Sequence, residues 1–427
     1  MKEWNSFDKI IKGKGMWLID SKGNKMLDGV ASMWCNVWGH SNPELVRAIT
    51  NQSKKLQHSS MFNLTNEPAE RLAENLVNIS PGMHKVFFSD NGSTAMEIAI
   101  KLALQYWKNI GEKKKTKIAT IENGYHGDTF GAMSVGYVPE FFGKFKEQLF
   151  STIQFPVPNK YRIPRGFTFS DYQNYCIEKI EKKFSKNNNI AAFIMESGAQ
   201  VAGGVIIYPK GFQRKISQLC KKYDVLFVLD EIATGLGRLG SMIQYEEQKS
   251  TPDIVAYGKM LTGGYLTMAA TMTNKKIYDS YLGEFNDWKH LFHGHTYTGN
   301  PIAAAVANEN LKMYKTKSLI KKIQKTSKVF EKFYQEISEI DIVGDIRHKG
   351  MLMGIEIVTN RKKKTPIHPK KSINKIFFEE GKKQGIYLRT LGNIVMLVPP
   401  LAISEKELNL LLNGVIRTIK AARLKVI

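Results

Sequence analysis

The sequence predicts an α/β fold: a large unit on a mostly parallel central sheet flanked by helices, plus a smaller α+β unit. Three observations predict it. The middle of the 427-residue chain alternates short β-branched apolar runs with helical patterns, the signature of a layered α/β arrangement. One amphipathic helix there lies between two buried-strand patterns, as a parallel crossover requires. From about Leu311 onward Lys-rich amphipathic helices alternate with strands, and the length exceeds what a single core usually supports.

In chain order, residues 16–30 (MWLIDSKGNKMLDGV) read as a hairpin with its turn at 22–24. Residues 87–101 (FFSDNGSTAMEIAIK) begin as a strand and pass through Asn-Gly-Ser-Thr into a helix over 93–111. That helix is rich in Ala, Leu, Ile and Met and closes at Gly111. Residues 116–122, 190–196 and 225–231 (TKIATIE, IAAFIME, VLFVLDE) read as buried strands. Between the last two, 211–224 carries its apolar residues at helical spacing. Residues 350–358 and 393–400 read as strands of the smaller unit.

Composition excludes several classes. With 43% hydrophobic and 24% charged residues the chain is neither disordered nor fibrous. No run approaches the roughly 18 uninterrupted apolar residues of a membrane span, and the N-terminus has no apolar leader pattern, so a cytoplasmic protein is expected. Cys35, Cys176 and Cys220 are widely spaced without a CxxC, so neither a disulfide framework nor a metal is indicated. The formal charge of +23 is carried by scattered lysines without interleaved aromatics, so a solvated surface is expected and no nucleic-acid or membrane partner.

The strand at 225–231 ends in two carboxylates, Asp230 and Glu231. Such an ending suits either a Mg²⁺-binding nucleotide hydrolase or a carboxylate set beneath a pyridine ring. The hydrolase needs GxxxxGK[ST], and none of Gly143-Lys144, Gly258-Lys259 or Gly381-Lys382 completes it. Lys259 sits between an apolar segment and an apolar strand pattern, a setting that lowers an amine's pKa and suits Schiff-base chemistry. Gly92, Ser93 and Thr94 open a helix, where free N–H groups and the dipole favour a phosphate. Amine, carboxylate and phosphate turn are the parts that pyridoxal 5′-phosphate requires. Tyr125 could stack on such a ring and His126 support it.

The segments VLDEIATGLGRLG, YGKMLTGGY and HGHTYTGNP, with 259 − 230 = 29 positions from carboxylate to lysine, resemble the class III (fold-type I) pyridoxal-phosphate-dependent aminotransferases over essentially the whole chain. That resemblance implies a large domain over 56–314 and a small domain from 1–55 and 315–427. WCNVWGHSNPEL, LQYWKNIG, NGYHGDTFGAMSVG and FHGHTYTGN resemble the branch that transaminates 8-amino-7-oxononanoate to 7,8-diaminononanoate in biotin biosynthesis. The resemblance makes Lys259 the Schiff-base lysine and Asp230 the partner of the pyridine nitrogen, with Tyr125 and Ile232 on the two ring faces. Gly92, Ser93 and Thr94 would take the phosphate, and Thr296 would reach it from the neighbouring subunit of a homodimer. Trp34, Tyr125, Asp128, Gly294 and Arg389 would contact substrate, Arg389 through its carboxylate.

Departures from the family pattern fall at Ser197, Val201, Met33 and Met396, around the region expected to receive the amino donor. S-adenosylmethionine is the donor the resemblance implies, with L-lysine as the alternative; another ω-amino-acid or diamine aminotransferase is a further reading. The family's usual aromatic-His-Pro opening is missing, so the natural start is expected to be either shortened or upstream of Met1.

Overall fold

The computed structural model describes Trp4 and residues 7–426. At its centre is a seven-stranded sheet in the order Lys85–Ser89, Ala269–Thr273, Ile254–Tyr257, Leu226–Asp230, Ile190–Glu196, Lys117–Ile121, Ile153–Phe155. Ala269–Thr273 alone runs antiparallel to its neighbours; the other pairs are parallel. Uninterrupted apolar runs form these strands because both faces of the sheet are covered.

The strand period of two sorts the side chains. Ala192, Ile194, Leu226, Val228, Ile254 and Ala256 pack on the helix Gly92–Asn109, whose Ala95, Met96, Ile98, Ala99 and Ala103 are buried with them. The alternate set, Phe193, Met195, Phe227, Leu229, Val255 and Tyr257, faces the opposite layer, where Phe212, Ile216 and Leu219 of the helix Phe212–Lys222 lie. Each such large side chain contributes about 1.5–3 kcal/mol by leaving water. Trp107 closes the first layer with its indole N–H donating to the Ala191 carbonyl at 2.8 Å.

Three smaller sheets accompany it among the described residues, one of them only the pair Ala199–Gln200 and Ile206–Ile207. Ile10–Lys14, Trp17–Asp20 and Lys25–Asp28 form an antiparallel meander that pairs with Ile386–Tyr387, so the two ends of the chain meet. Val343–Lys349, Leu352–Asn360, Ile394–Leu397 and Arg389–Leu391 form another, in which Thr365–Pro366 also pairs with Leu352–Asn360. The hairpin expected at 16–30 is present, with Asp20 accepting from the N–H groups of Lys22 and Asn24 at its turn. Among the described residues no helix is long and apolar enough to cross a membrane.

Candidate active site

The parallel strands end together, and their carboxyl ends are where open α/β sheets place ligands. Asp230 closes Leu226–Asp230 and Glu196 closes Ile190–Glu196; they are register partners across the sheet. Both share the parity of Leu226, Val228, Ala192 and Ile194, which directs them to the side where the helix Gly92–Asn109 begins. A cavity of about 480 Å³ lies there, bounded by Asn91, Gly92, Ser93, Tyr125, His126, Asp230, Ile232 and Lys259 among others.

The helix start differs in detail from the sequence expectation. Asn91 is the cap, its side chain accepting from the Thr94 N–H at 3.1 Å, while the Thr94 hydroxyl bonds back to Asn91. Thr94 is thereby committed to a capping box and does not line the cavity. Gly92 and Ser93 remain as the first two helical residues, whose N–H groups have no partner within the helix. A Cβ at Gly92 would come within 2.8 Å of Ile232 Cγ2, so glycine is needed where these two walls meet.

Asp230 is fixed from both oxygens. Oδ1 accepts the Ile232 N–H at 2.9 Å, and Oδ2 lies 2.9 Å from His126 Nδ1. The opposite nitrogen of His126, Nε2, is buried and among the described residues has no partner. Glu196 accepts from the Val201 N–H at 3.0 Å and the Tyr125 N–H at 3.4 Å. Burial, offset by His126, pushes its carboxyl up to about 7. Glu231, one residue past Asp230, turns away: its carboxylate accepts the Gln244 and Tyr245 N–H groups at 2.9 and 2.6 Å.

Lys259 starts a short 3₁₀ turn, Lys259–Thr262, directly after the strand Ile254–Tyr257. Its φ of +42° is a left-handed value that non-glycine residues seldom adopt. Among the described residues its amine has no hydrogen-bonding partner, and it sits 5.5 Å from the Trp34 ring centroid. Burial lowers the amine below the usual lysine range, with Asp230 and Glu196 pulling the other way. More of the free base is therefore present at neutral pH than in an exposed lysine.

Tyr125 lies on the rim, its ring stacked on Phe142 and its hydroxyl donating to Asp128 at 3.0 Å. The structure thus gathers Gly92, Ser93, Tyr125, His126, Asp230, Ile232, Lys259 and Trp34 around one space. It does not bring Asp128, Gly294, Thr296 or Arg389 to that wall. Asp128 is exposed and holds Tyr125 from outside. Gly294 and Thr296 lie on an exposed segment against 58–62, where the Thr296 carbonyl meets His58 Nε2 at 2.8 Å. Arg389 borders a separate cavity behind Met33.

Asn91, Cys35 and Glu196 also line the cavity, and sequence reasoning gave none of them a role there. Glu196 was discoverable: it ends a buried run just as Asp230 does, and parallel strands align their ends.

Residues 2–419 match the family described as Aminotransferase class-III. The chain belongs to the class III aminotransferases. It is 43% identical over 403 residues to the adenosylmethionine-8-amino-7-oxononanoate aminotransferase of Staphylococcus aureus, covering 93% of this chain and 88% of that protein. The crystal structure of the Methanocaldococcus jannaschii protein of the same name superposes with a TM-score of 0.90 at 40% identity, over 97% of this chain and 93% of that one. The ω-transaminase from Pseudomonas jessenii, solved in complex with PMP, superposes with a TM-score of 0.94 at 29% identity, over 98% and 94% of the two chains.

For this class III chain the residues present fit pyridoxal phosphate. An amine unpaired among the described residues, a carboxylate held in place, a helix start opened by Gly92 and a buried His126 Nε2 with no partner among the described residues share one cavity of suitable size.

Proposed function

We propose that the chain transfers an amino group to 8-amino-7-oxononanoate, giving 7,8-diaminononanoate, with pyridoxal phosphate as cofactor and S-adenosylmethionine as donor. The observation that carries this reading is the near-full-length likeness to proteins named for that reaction, at 39–43% identity in four of them.

The cofactor would supply a ring that withdraws electrons from the carbon bearing the amine. Asp230, aimed by His126 and the Ile232 N–H, would hold a proton on the ring nitrogen. Gly92 and Ser93 would receive the phosphate at the helix start. Ile232 and Tyr125 would confine the ring. Lys259 Nζ would take a proton from the donor carbon and return it two atoms away, across the transferred nitrogen, as general base and then general acid. Arg389 would hold the acceptor's carboxylate, a task that suits a planar guanidinium.

The reading includes a homodimer. Phe62, Trp288, Phe292 and Tyr297 expose 61%, 66%, 81% and 58% of their surface beside Gly294 and Thr296, an apolar area that a second copy would cover.

The test is a half-reaction. Purified protein is mixed with S-adenosylmethionine or with L-lysine, without acceptor, and its visible absorption followed. Loss of the band with S-adenosylmethionine supports the reading; loss only with L-lysine changes the donor; an unchanged band with both, and no diamine formed from 8-amino-7-oxononanoate, overturns it.

A further inference from the structure

Lys259 opens its short turn with a left-handed φ of +42°, and Gly263 follows the turn at +65°. A non-glycine residue keeps such a conformation only where its surroundings over-determine it. Two backbone bonds hold the turn from within, from the Leu261 N–H to the Gly258 carbonyl and from the Gly263 N–H to the Met260 carbonyl, both 2.9 Å. A further hold comes from far along the chain.

Asn310 lies in the helix Pro301–Thr316, fully buried among the apolar residues Ala303, Val306, Ala307 and Met313 of that helix. A buried amide is costly there unless its hydrogen bonds are made. Nδ2 donates to the Met260 and Leu261 carbonyls at 2.8 and 2.9 Å, and Oδ1 accepts the Trp38 indole N–H at 2.7 Å. An indole N–H only donates and a carbonyl only accepts, so a single orientation of the amide satisfies all three groups. Trp38 belongs to the segment of Trp34 and Cys35, which line the Lys259 cavity. One side chain outside the cavity thus ties the turn that bears the amine to the segment that faces it. Asn308, on the same helix, serves packing instead. It donates to the Pro68 carbonyl and accepts from Asn75 Nδ2, both at 2.8 Å, joining its helix to Glu67–Ile79.

We propose that Asn310 is a positioning residue for the reaction at Lys259: by holding the Met260 and Leu261 carbonyls it keeps Lys259 left-handed and its amine at the cavity wall. The inference rests on the aminotransferase reading of that cavity and deepens it.

The test follows cofactor capture. The full chain is stripped of cofactor and mixed with pyridoxal phosphate at a series of concentrations, and the growth of visible absorption gives a limiting rate and a half-saturating concentration. Asn310→Asp keeps the size of the side chain and the acceptor for Trp38 but loses both donors. Its limiting rate should fall about tenfold or more, since a reacting group displaced by about 1 Å can lose about a hundredfold. Its half-saturating concentration should be unchanged, because Gly92 and Ser93 at the helix start are untouched. Hydrogen exchange of the Leu261 and Gly263 amides should quicken as the turn loosens. Asn310→Ser, which retains one donor, should fall between and stands in if Asn310→Asp does not fold. Asn308→Asp, the same chemical change on the same helix, should keep the original rate, concentration and exchange. An original limiting rate in the Asn310 variant, an equal loss in Asn308→Asp, or unchanged exchange at Leu261 and Gly263 overturns the proposal. If the unaltered chain captures no cofactor, the aminotransferase reading fails, and amide exchange alone still decides whether Asn310 holds the turn.

Discussion

Asp230 and Glu196 are register partners at the ends of adjacent parallel strands, two buried carboxylates facing one cavity. Their surroundings differ. Asp230 has His126 Nδ1 and a backbone N–H on it, whereas Glu196 is pushed by burial up to about 7. At neutral pH Glu196 is a carboxyl poised to keep its proton.

That asymmetry has a pH signature. Between the unfolded carboxyl's pKa, 4.5, and about 7 the folded chain keeps the Glu196 proton and the unfolded chain releases it. The stability it contributes is full below the lower value and is lost as pH rises through the upper one. Melting temperature of the cofactor-free protein should fall between about pH 5 and about pH 8, and Glu196→Gln should reduce that fall. A variant whose melting temperatures track the original at every pH would rule out the assignment to Glu196.

Asp230→Asn keeps the size of the side chain but removes the charge facing His126. Donor-driven conversion in a single turnover should slow by about a hundredfold or more, with the melting temperature little changed, because the group acts on proton placement rather than on packing. Equal rates in the two proteins would show that the pyridine nitrogen is not its partner.

Gly92→Ala should weaken cofactor retention, since the new methyl must displace Ile232, which sits 2.8 Å from where it would lie. Overpacking of this kind costs about 1–3 kcal/mol. Adding Ile232→Ala vacates that space, so the double variant should regain part of the lost stability despite losing an apolar group. Simple additivity in a double-mutant cycle of melting free energies would contradict the contact.

Much of this was legible in the sequence, and for physical reasons. Strands buried on both faces read as unbroken apolar runs, so Ile190–Glu196 and Leu226–Asp230 were predicted within a residue of their observed limits. Lys259 and Asp230 stood out because a charge in an apolar run is costly unless used. What stayed hidden depends on side-chain direction. Asn, Ser and Thr all cap helices, so sequence alone could not tell that Asn91 takes the cap and consumes Thr94. The positive φ values at Ala31, Ser32 and Trp34 have no glycine to announce them; the Asp28 carboxylate that accepts the Val30 and Ser32 N–H groups lies upstream in a strand. Arg389 falls behind Met33 because the pairing of Arg389–Leu391 with Ile394–Leu397 sets its depth, a register that composition does not encode.

Glu231 shows the same limit most plainly and gives the last prediction. In sequence it is indistinguishable in kind from Asp230, yet it leaves the strand and points away from the cavity to hold two N–H groups at the turn of 244–245. Burial pushes its carboxyl up to about 7 against the pull of those donors. Its work is to satisfy backbone that water cannot reach. Glu231→Ala strips the acceptor from both donors, and each buried N–H left unpaired costs about 1–3 kcal/mol. Glu231→Gln retains one acceptor oxygen and should cost about half as much. Both variants that remain folded should retain the cofactor and the single-turnover rate, the reverse of the Asp230→Asn pattern. Urea denaturation beside the donor half-reaction separates the two carboxylates: a slowed half-reaction at full stability in Glu231→Gln would move Glu231 from scaffold to chemistry.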